Sequence, residues 1–119
     1  MPDNENGKMY HDNGKMKFKG QIVQGKKHGK GEVYHPNEVI MYKGRFFDDK
    51  IEDADCSIYH DNYELKYRGM MKKGKMHGDG VKIYSKTGKI QFFGKVIEGA
   101  FIYGKIYHQN ANIKYDGVL

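Results

Sequence analysis

YHDNYELKYRG, residues 59–69, recurs with changes at four other places in this chain of 119 residues. Residues 10–20 read YHDNGKMKFKG, residues 34–44 YHPNEVIMYKG, residues 84–94 YSKTGKIQFFG and residues 107–117 YHQNANIKYDG, all in one register without gaps. The steps between the leading tyrosines are 24, 25, 25 and 23 residues. A period of that size marks a repeat architecture, in which each unit buries its apolar side against its neighbours.

Within each unit apolar and polar residues alternate with period two, which puts them on opposite faces of a strand. Met16, Phe18, Gly20 and Ile22 point one way, and so do Ile40, Tyr42, Gly44 and Phe46. Leu65, Tyr67, Gly69 and Met71 repeat the pattern, followed by Ile90, Phe92, Gly94 and Val96 and then by Ile113, Tyr115, Gly117 and Leu119. The other face carries Lys17, Lys19 and Gln21, or Lys43 and Arg45, or Lys66 and Arg68, with Met41 and Phe93 as apolar exceptions. A glycine weakens a strand unless its missing side chain makes room for something. Five glycines in one column therefore read as the floor of a groove.

Ahead of each such strand lies a shorter one ending in an apolar pair, as in Val33-Tyr34 and Ile58-Tyr59, followed by a four-residue turn. HDNG, HPNE, HDNY, SKTG and HQNA supply residues that tolerate positive φ or bond their own backbone, so each unit reads as an antiparallel hairpin.

The Y-x-G core, the glycines at Gly25, Gly74 and Gly99, and the HGxG of residues 28–31 and 77–80 resemble the MORN (membrane occupation and recognition nexus) repeat. The resemblance implies an all-β fold: a single-layer, twisted antiparallel sheet of about five consecutive hairpins. It covers nearly the whole chain. It is closest in the linkers QGKKHGKG and KGKMHGDG, whereas DDKIEDAD puts Asp49, Asp53 and Asp55 where glycines are expected, and EGAFIYGK is shorter. By the same resemblance the chain is a scaffold that receives a protein segment in a cytoskeletal or ciliary assembly.

Length and the absence of a Pro-, Ser- or low-complexity linker fit one extended unit. Residues 1–6 read as a disordered tail, and the five hairpins fall at about 7–25, 26–50, 51–74, 75–99 and 100–119. Ten strands at a spacing of about 4.8 Å make a ribbon roughly 45 Å long without a conventional core. Its stability comes from contacts between neighbouring hairpins. No apolar run reaches the ~18 residues of a membrane helix, and no basic-then-apolar leader follows Met1. Cytoplasmic residence is the expectation, and the single cysteine, Cys56, reads as a small apolar strand residue.

The net charge of +6 rests on lysines in the linkers and on the polar strand face. Solubility accounts for it. An anionic membrane surface is the alternative, with Lys26, Lys27, Lys72, Lys73 and Lys75 as the contacts to phosphoinositide lipids. Nucleic acid is not favoured, because the alternation separates the aromatics from the lysines. His11, His35, His60 and His108 share one turn position, yet successive hairpins hold it roughly 10 Å apart, too far for a common metal ion. His28 and His77 belong to HGxG and read as turn-packing residues. The acidic run 48–55 lacks the residue order of a calcium loop. No G-x-S-x-G, no phosphate-cradling glycine loop and no Cys beside a base is present, so neither an enzyme nor a cofactor is expected.

A binding module is what these residues describe. Its expected groove is lined by Phe18, Tyr42, Tyr67, Phe92 and Tyr115 over Gly20, Gly44, Gly69, Gly94 and Gly117, partly exposed and open to a partner segment. The outermost strands leave unpaired backbone groups, which points to pairing with a second copy or another subunit.

Overall fold

The structure, a computed structural model, describes residues 4–110 and 112–119. The period-two stretches are strands: β1 (Asn4–Tyr10), β2 (Met16–Val23), β3 (Lys26–Tyr34), β4 (Ile40–Phe47), β5 (Lys50–Ile51), β6 (Asp53–Tyr59), β7 (Leu65–Lys72), β8 (Lys75–Tyr84), β9 (Ile90–Ile97), β10 (Ala100–Tyr107) and β11 (Ile113–Val118). All belong to one open antiparallel sheet in chain order, with β5 pairing only with β4. The fold is therefore all-β, a single layer of consecutive hairpins measuring 54 × 27 × 18 Å. No helix occurs among the described residues, so none is long and apolar enough to cross a membrane.

Two details depart from the sequence reading. β1 starts at Asn4 instead of Gly7, because Asn4, Glu5 and Asn6 pair with Val23, Ile22 and Gln21. Half of the expected tail, residues 4–6, is thus strand, and residues 1–3 lie outside the described residues. The acidic linker also adds a strand: β5 pairs Ile51 with Phe46 and Lys50 with Phe47 before the chain turns at Glu52 into β6.

Register explains how one layer can hold a core. Met9, Phe18, Val33 and Tyr42 face one another across β1 to β4. The same row continues through Ile58, Tyr67, Ile83, Phe92, Ile106 and Tyr115. Ten strands thus contribute one rung each, aliphatic from the first strand of every hairpin and aromatic from the second. Aromatic–β-branched pairs of this kind are a main source of sheet stability. A second row, Phe46, Met71 and Val96, closes over the rings from four residues further along the same strands. Phe46 stands edge-on to both Phe18 and Tyr42, at 5.5 Å in each case.

The turns are coupled as well as the strands. His11 Nε2 donates to the Tyr34 carbonyl (2.8 Å), His35 Nε2 to Tyr59 (2.8 Å) and His60 Nε2 to Tyr84 (2.9 Å). Asn13, Asn37 and Asn62 make the parallel bond, each amide donating to a carbonyl of the next turn, at Pro36, Asp61 and Lys86. Each Asn also accepts the backbone N–H two residues on, so one side chain shapes its own turn and ties it to the next. In the fourth turn Ser85 and Thr87 replace this pair and bond each other instead (2.8 Å). Gly14 and Gly88 occupy the left-handed position of their turns, φ +82° and +84°, where Glu38 and Tyr63 carry φ 74° and 71° without glycine's freedom.

Candidate functional site

Four of the five aromatics expected to line an open groove are buried: Phe18 and Tyr42 are 0 % exposed, Tyr67 4 % and Phe92 5 %. Only Tyr115 is exposed, at 44 %. The rings lie down along their own strands instead of standing up from the sheet. A Cβ on Gly20 would come 3.0 Å from the Phe18 ring, one on Gly69 3.0 Å from the Tyr67 hydroxyl, and one on Gly94 3.0 Å from the Phe92 ring. The tyrosine hydroxyls fix this posture by bonding the backbone three residues on: Tyr67 donates to the Met70 carbonyl (2.5 Å) and Tyr115 to that of Val118, while the Tyr42 hydroxyl accepts the Arg45 N–H (2.7 Å). The glycine column is a floor, as its sequence suggested, but through the fourth hairpin the protein's own rings occupy it.

The floor is also wider than the five glycines read from the sequence. Gly7 opposes Gly20, Gly20 opposes Gly31, and Gly31 opposes Gly44. At the other end Gly94, Gly104 and Gly117 oppose in turn. Between them Cys56 opposes Gly69 and Val81 opposes Gly94, so these two buried residues hold positions that glycine holds in the other hairpins. The signal was available: Gly7, Gly31, Cys56, Val81 and Gly104 follow the spacing of the leading tyrosines three residues earlier.

Burial pushes the Tyr67 hydroxyl and the Cys56 thiol up to about 12 each. Tyr42 is raised as well, by burial first and then by its hydrogen bond to Asp53 (2.7 Å). Tyr34 is pushed up to about 12 mainly by donating to the Glu32 carboxylate, which is itself held below its ordinary range by that bond. The three tyrosine hydroxyls and the Cys56 thiol therefore stay protonated at neutral pH, and the hydroxyls donate within the sheet.

The acidic linker stitches neighbouring linkers together. Asp48 accepts from Lys26 Nζ (2.9 Å), Asp49 from the Lys27 N–H (3.1 Å), Glu52 from the Lys73 N–H (2.9 Å) and Asp55 from Arg68 (2.9 Å). Of the lysines considered for lipid contact, Lys26 is therefore paired, Lys72 lies 4.0 Å from Glu98, and Lys27 sits over the Phe18 and Phe46 rings. Lys73 and Lys75 make no ion pair among the described residues. His28 packs on Phe47 at 5.0 Å and His77 Nδ1 accepts the Glu98 N–H at 3.0 Å.

What does stay open is the last part of the sheet. Eight of the twelve exposed large apolar side chains among the described residues fall from Phe93 onward. Ile113, Tyr115 and Leu119 extend the ring face, while Phe93, Tyr103 and Val118 lie on the opposite, otherwise polar face. Accessible apolar side chains thus lie on both faces of the last hairpin, and on the otherwise polar face alone in the fourth, whose ring face is buried.

The architecture is that of a linear β-hairpin repeat protein. No protein-family model matches the chain, and no curated protein matches it either.

Proposed function

We propose that this chain is a non-catalytic scaffold of the MORN-repeat kind, binding a protein partner through its last two hairpins as a subunit of a cytoskeletal or axonemal assembly. The observation that carries the reading is the exposure of Phe93, Tyr103, Ile113, Tyr115, Val118 and Leu119 on both faces of β9 to β11. Soluble proteins rarely leave contiguous apolar surface of this kind uncovered unless it receives a partner. β11 pairs on one side only, so an extended segment can add a strand there. Main-chain hydrogen bonds then supply affinity, and Ile113 and Tyr115 the side-chain selectivity. Of the groove foreseen over the glycine column, Tyr115 and Gly117 are the part left accessible to such a segment.

Affinity capture with lysine cross-linking tests this reading, using wild type beside the double variant Ile113→Lys, Tyr115→Lys. The expected result is a protein captured by wild type alone, with cross-links at Lys105 or Lys114. Self-association lost in the same variant would identify a second copy as the partner. Salt-sensitive pelleting with phosphoinositide vesicles and no captured protein would favour the lipid-binding alternative.

A further inference from the structure

On the solvent face of β1 to β4 lies a recess of about 760 Å³, at the opposite end of the strand order from the apolar surface. Its floor is the backbone of Gly7, Gly20, Gly31 and Gly44, whose absent Cβ atoms belong to the ring side. One wall is the cross-strand row Lys8, Lys19, Glu32 and Lys43. Lys30 and Arg45, which oppose each other, stand with Asn6 along the other.

Lys8 directly opposes Lys19, and Lys30 directly opposes Arg45. Like charges so placed destabilise a sheet. Solubility does not require that arrangement, since the same lysines staggered among acidic residues would serve equally. Five cations line the recess with one carboxylate on their own face, Glu32; Asp53 lines it too, but its carboxylate lies on the ring side against the Tyr42 hydroxyl. Both carboxylates are engaged. Glu32 accepts from the Tyr34 hydroxyl and lies 3.8 Å from both Lys19 and Lys43, and Asp53 accepts from the Tyr42 hydroxyl. Lys8, Lys30 and Arg45 make no ion pair among the described residues, so three cations around one recess remain uncommitted.

We propose that this recess binds an extended acidic segment of a protein partner, lying across β1 to β4 between the two basic walls. Two residues along a strand separate the walls by roughly 7 Å, about the width of one extended chain. Four strands span roughly 14 Å, or about four extended residues. Carboxylates on such a segment meet Lys8 and Lys19 on one side and Lys30 and Arg45 on the other. A planar lipid surface touches the lysine tips without entering the recess. A nucleic-acid strand finds no ring to stack on among the residues that line the recess, none of which is aromatic.

The probe is a fluorescein-labelled ten-residue peptide of alternating Glu and Ser, titrated by fluorescence anisotropy at low and physiological salt. Wild type is compared with the triple variant Lys8→Glu, Lys30→Glu, Arg45→Glu and with a charge-matched control, Lys17→Glu, Lys66→Glu, Lys89→Glu. Salt-sensitive binding is expected, weakened at least tenfold by the recess variant and less than about twofold by the control. The neutral set Lys8→Gln, Lys30→Gln, Arg45→Gln gives the same reading should charge reversal impair folding. Equal weakening by the recess and control triples would reduce the effect to net charge and overturn the proposal. So would absence of binding at low salt, or stronger recess-dependent binding to phosphatidylserine vesicles or a single-stranded oligonucleotide than to the peptide. None of these outcomes bears on the apolar surface of the last hairpins, which is tested by its own variants.

Discussion

Gly94→Ala adds one methyl group to β9, and the structure sets how badly it fits. A Cβ there falls 2.5 Å from Gly104 Cα, 3.0 Å from Phe92 Cζ and nearer still to the Tyr103 carbonyl oxygen. Two of these three neighbours are backbone atoms of β10, so turning a side chain cannot relieve the contact. β9 and β10 must separate where Gly94 pairs with Gly104, and the Phe92 ring must lift from its floor. Overpacking a close-fitted site costs about 1–3 kcal/mol, and a clash with backbone belongs at the upper end, about 3 kcal/mol. With a urea m-value of about 1.5 kcal/mol/M for a chain of this size, the unfolding midpoint drops by about 2 M. Gly14→Ala is the reference, because a Cβ at Gly14 meets nothing within 4 Å and only the left-handed φ of +82° opposes it. That strain is worth about 1 kcal/mol, or a midpoint shift of about 0.7 M. Urea titration followed by the fluorescence of the ten tyrosines reads both variants, since the chain has no tryptophan. A Gly94→Ala shift no larger than that of Gly14→Ala would refute the idea that the glycines seat rings and neighbouring backbone.

His35→Ala removes the bond to the Tyr59 carbonyl and lowers stability by about 1 kcal/mol, while His108→Ala changes it by less than about 0.5 kcal/mol, because the His108 ring makes no such bond among the described residues. Equal losses would contradict the turn ladder. Conversely, Ser85→His with Thr87→Asn restores the missing pair toward the fifth turn and raises the urea midpoint, by about 1 kcal/mol in stability. Cys56, buried and with its thiol pushed up to about 12, resists thiol reagents in the native protein near pH 8 and reacts only on unfolding. Rapid native labelling would contradict that burial. The Glu32 carboxyl is held below its ordinary 4.5, chiefly by the Tyr34 hydroxyl, so its stabilisation is present above that value and lost as pH falls through the folded value. The stability gap between wild type and Glu32→Gln is accordingly widest near neutral pH and closes in acid; a gap independent of pH would remove Glu32 from the account.

Strand order, hairpin pairing and the shared face of the five aromatics were legible in the sequence, because a period of two inside a period near 25 leaves little choice of topology. The posture of the rings was not. Alternation tells which face Phe18 and Tyr67 occupy but not whether they stand or lie, and that depends on glycines both in their own strand and in its neighbour. Gly7, Gly31 and Gly104 escaped notice since Cys56 and Val81 interrupt their column, a substitution the structure accommodates by burying both. The use of the turn histidines was invisible, because each acts on a carbonyl 23 or 24 residues away. The acidic linker looked anomalous on its own, and becomes intelligible only beside the amides of Lys27 and Lys73 in the adjoining linkers.

The scaffold reading rests on the open surface of the last hairpins, and amide hydrogen exchange over Ile113–Val118 tests it most directly. The free protein is expected to exchange these edge amides rapidly while β9, paired on both sides, stays protected. In the complex recovered by affinity capture, the same segment gains protection to the level of β9. Unchanged exchange across β11 in that complex, with protection appearing elsewhere, would contradict the assignment of this surface as the partner's seat.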